Sequence, residues 1–180
     1  MAYYNGWKHH HGTKFLSLEM TFGICMYMYG PRSFRESDLD LLELSHVVDI
    51  LRNCQQHLPP QLHKVMYGDG IFPIMDYLIS KHLGDDLTHQ EVLENKGMCR
   101  IRIGNEWVYG VTANLFPYVK FKNVTKLLKH EHISQYYIVA TLFRNFFAFY
   151  RDNLVSGYFN ADIDASVRID DYLDPIWRVN

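Results

Sequence analysis

The most apolar stretch of the chain, Ile133 to Tyr150, sets the first constraint on its fold. It runs for 18 residues and is interrupted by Gln135, Arg144 and Asn145. A bilayer core asks for about 20 predominantly apolar residues. The segment is too short and too polar for that, so it reads as a buried core helix and not as a membrane span. Its aromatic content (Phe143, Phe146, Phe147, Phe149 and Tyr150) exceeds what one helix face needs. The N-terminus, MAYYNGWKHHHG, has no apolar core of the kind a secretory signal requires. With 180 residues, of which 48% are hydrophobic and 15% aromatic, the chain can bury one sizeable core.

Charge and cysteines narrow the class further. Eighteen basic and 20 acidic residues give a formal net charge of -2. That balance lacks the basic excess that marks most nucleic-acid binders, so any DNA contact needs a local patch. Lys120, Lys122, Lys126 and Lys129, with His130, form such a cluster; on pattern alone it also reads as a solvated face. Cys25, Cys54 and Cys99 are odd in number and form no C-x-x-C pair. This excludes a disulfide framework and a zinc finger and points to a reducing, intracellular compartment. The run His9-His10-His11 reads as solvated loop.

The chain order predicts an α/β fold. Leu16, Leu18, Met20 and Phe22 alternate with polar residues over Lys14 to Phe22, a half-buried strand. Ile24 to Tyr29 is wholly apolar, which fits a strand covered on both faces. Together they read as a hairpin closed by Gly30-Pro31. Ser37 is an N-cap candidate for a helix carrying Leu39, Leu42, Val47, Ile50 and Leu51 through Arg52. A short strand over His63 to Tyr67 stops at Gly68-Asp69-Gly70. Pro73 is placed to open a helix over Ile74 to His82. The chain is mostly helical in pattern from Thr88, with breaks near Gly97 and Pro117, and the apolar helix follows. Residues 1–160 read as one domain and 161–180 as a loosely attached acidic tail. The expected architecture is a mixed sheet, an antiparallel hairpin followed by a parallel strand, flanked by helices.

Three acids draw the chemistry. Asp69 follows a strand end between two glycines that let backbone and ligand approach closely; by itself Gly-Asp-Gly is also simply a turn. Asp38 opens a helix, where the dipole favours an acid. Glu106 has the reading of a helix carboxylate bridged to Arg102 four residues back. Taken together, an acid before a helix, one at a strand end and one on a later helix resemble the ligand set of a two-metal centre. Such a centre needs several carboxylates from different elements around ions about 3.5–4 Å apart.

Collinear motifs over roughly nine tenths of the chain strengthen this reading. The chain carries Tyr4-Asn5-Gly6-Trp7-Lys8, His11-Gly12-Thr13-Lys14-Phe15, Gly30-Pro31 and Ser37-Asp38 before Leu41-Leu42. Leu58-Pro59-Pro60 and Tyr67-Gly68-Asp69-Gly70-Ile71-Phe72-Pro73 follow, then Glu106-Trp107, Phe121-Lys122-Asn123 and Tyr136-Tyr137-Ile138-Val139-Ala140. In this order they resemble the nuclease domain of Harbinger-type DDE transposases, the DDE superfamily endonucleases. The resemblance implies an RNase H-like fold, divalent metal (Mg²⁺ or Mn²⁺), DNA as partner and a nuclear location. It assigns Asp38, Asp69 and Glu106 as catalytic metal ligands.

The departures from the family pattern shape the functional expectation. The family's first aspartate lies on a central first strand, in a "DGT" element upstream of the first motif, and has no counterpart here. Ser37 stands where the family has histidine, and Asn105 where it has valine. The resemblance therefore implies a degenerate nuclease domain with weak metal binding. Two other readings stay open. Glu19 or Glu36 can substitute for the missing acid in an active enzyme. Or the chain is a non-catalytic interaction or structural protein, binding a partner or a second copy through an unpaired sheet edge.

Overall fold

The computed structural model describes residues 4–5, 10–120, 132–151 and 154–160. The chain divides into two compact units. Unit one comprises Met1–Leu18 and Tyr27–Ile103; unit two comprises Glu19–Met26 and Gly104–Asn180.

Unit one opens with two short strands, β1 (Tyr4–Asn5) and β2 (His10–His11), paired antiparallel with Tyr4 opposite His11. Histidines 10 and 11 thus lie in a strand and not in the loop expected for them. Next come β3 (Thr13–Glu19) and β4 (Cys25–Ser33), joined through a turn that belongs to unit two, in which Met20 N–H donates to Ile24 O at 2.8 Å. The first strand was expected to run to Phe22; it ends at Glu19, and Met20 is exposed. The second was expected to stop at Gly30-Pro31; it continues through them to Ser33. Nor is it covered on both faces, since Met26 is exposed. Apolar content alone does not say which faces a neighbour covers.

Ser37 caps α1 (Asp38–Ser45) as expected, in a reciprocal capping box: its Oγ accepts from Asp40 N–H, and Asp40 Oδ2 accepts from Ser37 N–H, both at 3.0 Å. The single helix expected through Arg52 is broken at His46, whose φ of 52° is left-handed, and α2 (Val47–Gln55) starts anew. Leu41 and Val47 are buried there, whereas Leu39 and Ile50 are exposed. After a 3-10 turn at Pro60–Leu62 come β5 (Met66–Tyr67) and β6 (Leu78–Ile79), paired parallel with Met66 opposite Leu78. The helix expected over Ile74 to His82 does not form. Leu78 and Ser80 are buried while Ile79 between them is half-buried, the period-two pattern of a strand. Leu78 packs with Val47 and Met66 in the core of this unit, and Leu16, Leu18, Tyr27 and Phe72 close around it.

The long helix α3 (His89–Leu115) begins in unit one and ends in unit two. Thr88 and Glu91 cap it reciprocally. The break expected at Gly97 does not occur: its position is open to solvent, so glycine there costs only about 1 kcal/mol of helix propensity. In unit two, a 3-10 turn (Pro117–Val119) leads toward α4 (Ile133–Tyr150) and α5 (Leu154–Phe159). The apolar helix thus has the bounds its sequence predicts. Lys122, Lys126, Lys129, His130 and the acidic tail lie outside the described residues.

The architecture is mixed α/β, with small sheets flanked by helices, consistent with an α/β nuclease-like fold. One continuous mixed sheet was expected; the described residues carry three separate two-stranded sheets. Among them no helix is long and apolar enough to cross a membrane.

Candidate active site

Asp69 emerges just beyond β5, where a strand-end acid was expected. Its backbone carbonyl closes a turn by accepting from Phe72 N–H at 2.9 Å. Its side-chain Oδ1 accepts from Gly70 N–H at 2.8 Å and lies 3.3 Å from Arg102 Nη1 on α3. The carboxylate is therefore exposed but fixed, with a guanidinium as counter-ion. The flanking glycines serve packing within the protein. A Cβ on Gly68 would stand 2.7 Å from the Phe72 ring, and one on Gly70 would stand 3.0 Å from the Lys81 side chain. Next to Asp69, burial holds the Tyr67 phenol above its ordinary range, and the nearby Cys99 and Asp69 add to the effect.

Asp38 occupies the first turn of α1, where the helix dipole favours an acid. It also has a cation in place: Lys14 Nζ lies 2.8 Å from Asp38 Oδ1 and donates to Glu36 O at 2.6 Å. Glu36, one of the two acids that could replace a missing ligand, accepts from Arg32 Nε at 2.7 Å and from Ser33 N–H at 3.1 Å. Hydrogen bonds from Ser37 hold the Asp40 carboxyl below its ordinary range. Each acid of this edge is thus matched to a donor a few residues away or across the hairpin.

Glu106 belongs to unit two and is exposed on α3. Its neighbours fix the helix. A Cβ on Gly104 would stand 2.6 Å from the Phe159 ring, and the Trp107 ring meets Tyr158 edge-on at 4.8 Å. The glycine and the tryptophan of this motif therefore seat α5 on α3, while the glutamate points to the surface.

Glu19, the other candidate replacement acid, was assigned to the polar face of its strand. Its side chain is instead 1% exposed, and Oε2 lies 3.0 Å from Arg144 Nη2, whose own side chain is 4% exposed. Arg144 also donates to Asn145 Oδ1 at 3.0 Å and to Thr112 Oγ1 at 3.4 Å. Asn145 in turn clamps the Cys25 backbone, accepting from its N–H at 3.0 Å and donating to its carbonyl at 2.9 Å. Burial pushes the Tyr137 phenol strongly upward beside this network, with smaller contributions from Tyr109 and Glu19. Glu19 is committed to this interior and has no path to solvent ligands. The sequence signal was an arginine and an asparagine interrupting an apolar helix, but Glu19 and Cys25, which they hold, lie more than a hundred residues away.

Lys120, the described member of the basic cluster, donates to Asn114 Oδ1 at 2.7 Å. Among the described residues, no three His, Cys, Asp or Glu side chains form a group able to hold a metal ion.

No curated protein and no solved structure matches the chain. The sequence profile of the DDE superfamily endonucleases matches residues 1–145. That family generally uses divalent metal ions. A magnesium centre needs converging oxygen ligands; in unit one, Asp38 and Asp69 each face a cationic side chain that a metal ion would have to displace. The match covers well over half of the sequence, and on it the chain belongs to the DDE superfamily endonucleases.

Proposed function

We propose that this chain is a transposase-derived endonuclease domain of the Harbinger type whose phosphodiester chemistry is degenerate. The observation that carries the proposal is the pairing of both unit-one acids with basic side chains, Asp38 with Lys14 and Asp69 with Arg102. A metal ion entering at either acid first has to displace that cation. Each exposed pair costs about 0–1 kcal/mol to break, a modest barrier. With Asp38 and Asp69 each held by a cation, the residual Mg²⁺ or Mn²⁺ affinity of the set Asp38, Asp69 and Glu106 is weak. In this reading the domain acts in the nucleus. It contacts DNA electrostatically through Lys120, Lys122, Lys126 and Lys129, with an affinity that falls steeply with salt.

Two measurements test the proposal. Purified protein incubated with duplex DNA and millimolar Mg²⁺ or Mn²⁺ is expected to leave the DNA intact. Cleavage that disappears in Glu106→Gln would overturn the degenerate reading. Calorimetric titration of the same ions is expected to show weak binding that Asp69→Asn abolishes. Binding unchanged in Asp69→Asn would remove Asp69 from the site.

A further inference from the structure

The buried side of α4 carries four polar residues, Ser134, Thr141, Arg144 and Asn145, together with Ala140. A different stripe of the same helix, Tyr136, Val139, Phe143, Phe147 and Tyr150, is apolar and exposed. Their spacings of three and four residues place all five within a narrow arc of the helix surface. They extend over roughly 21 Å at 1.5 Å per residue. Exposure along the stripe runs from 43% at Tyr136 and Phe147 to 74% at Tyr150. The stripe continues onto the preceding 3-10 turn, where exposed Tyr118 meets the Tyr136 ring at 5.6 Å.

Two physical arguments say what covers this surface. The first is area. Fully exposed aromatic side chains present about 150–250 Å² each. Five of them, each near half exposed, with Val139, leave about 500 Å² of contiguous apolar surface. That lies at the upper end of what monomeric proteins expose. Doubled across two copies it gives about 1,000 Å², the lower limit for a biological interface and the size of a weak, reversible dimer. The second is charge. The whole of α4 contains no acidic residue, and its one basic residue, Arg144, is buried. A partner bearing charges would lose their hydration here and find no counter-ion. An identical uncharged stripe loses nothing, and a two-fold axis lets one patch serve both copies.

We propose that the aromatic stripe of α4 is a self-association face on which a second copy of this chain seats the same stripe. This assigns self-association to a helix face and not to the sheet edge expected from sequence, and it is independent of the endonuclease reading. The test is sedimentation velocity of the full chain over a wide concentration range. The expected result is a monomer–dimer equilibrium weakened about thirtyfold or more by Phe143→Lys, with the circular dichroism spectrum unchanged. Tyr150→Ser, at the most exposed position of the stripe, supplies a second variant should Phe143→Lys fail to fold; it is expected to weaken the dimer as well. A wild-type chain that stays monomeric throughout overturns the proposal. So does a dimer that a folded stripe variant leaves intact.

Discussion

The two units of this protein handle charge in opposite ways. In unit one, Asp38–Lys14, Asp69–Arg102 and Arg32–Glu36 are all at least partly exposed, and each joins an acid to a long, flexible base. In unit two, Glu19 and Arg144 pair out of contact with water, and Glu19 Oε1 and Arg144 Nε have no hydrogen-bond partner among the described residues. Exposed pairs contribute about 0–1 kcal/mol and can be exchanged without harm to the fold. A buried pair is strongly coupled, because removing one member strands the other in a medium that cannot solvate it. The acids of unit one are thus positions where chemistry can be gained or lost. Glu19 of unit two is fixed by folding.

The largest effect is expected on removing one charge from the buried pair. Arg144→Met or Glu19→Gln is expected to destabilise the protein by about 3–5 kcal/mol in urea unfolding. The double variant Glu19→Leu with Arg144→Met is expected to recover most of that loss, since two apolar groups leave no stranded charge. Single and double variants of equal stability would show that the pair is not coupled. Next in size is Gly104→Ala, which forces a methyl toward the Phe159 ring and is expected to cost about 1–3 kcal/mol. A smaller loss of about 1 kcal/mol is expected for Ser37→Ala, which opens the capping box of α1.

Alkaline pH sharpens the contrast from another side. The Tyr137 phenol titrates well above its unfolded value of about 10. Its contribution to stability is therefore complete below pH 10 and is lost as pH rises from there toward the folded value. Thermal melts should fall above about pH 10, and fall less steeply in Tyr137→Phe. Parallel curves for the two proteins would remove Tyr137 as the cause. The smallest effect is expected at the unit-one acids: Asp38→Asn and Asp69→Asn should each change stability by less than about 1 kcal/mol. A loss as large as that of Arg144→Met would place these acids among the structural groups and erase the difference between the units.

Local signals in the sequence carried much of this fold. Ser37 with Asp40 declared the start of α1, and the apolar run from Ile133 to Tyr150 gave α4 its bounds. Both are properties of neighbouring residues: a capping hydroxyl meets a backbone three positions on, and a helix hydrogen-bonds within itself. The family motifs were likewise legible, since they are strings of adjacent residues, and the matched profile agrees with them at the level of the DDE superfamily endonucleases.

What neighbouring residues could not settle was decided by packing. The segment after Pro73 has a plausible helix start, yet Leu78 is held as a strand because Met66 supplies a parallel partner and the core of unit one takes its side chain. Glu19 alternates as an outward residue would, yet Arg144, 125 positions away, draws it inward. Asp69 and Arg102 meet across 33 residues for the same reason. Neighbouring residues were enough to give the α/β class, the cap of α1, the long apolar helix and the superfamily. Which charges are buried, which acids already hold a cation, and which side of α4 stays exposed among the described residues came from packing. Those depend on burial and long-range pairing, and a chain specifies these only once it is folded.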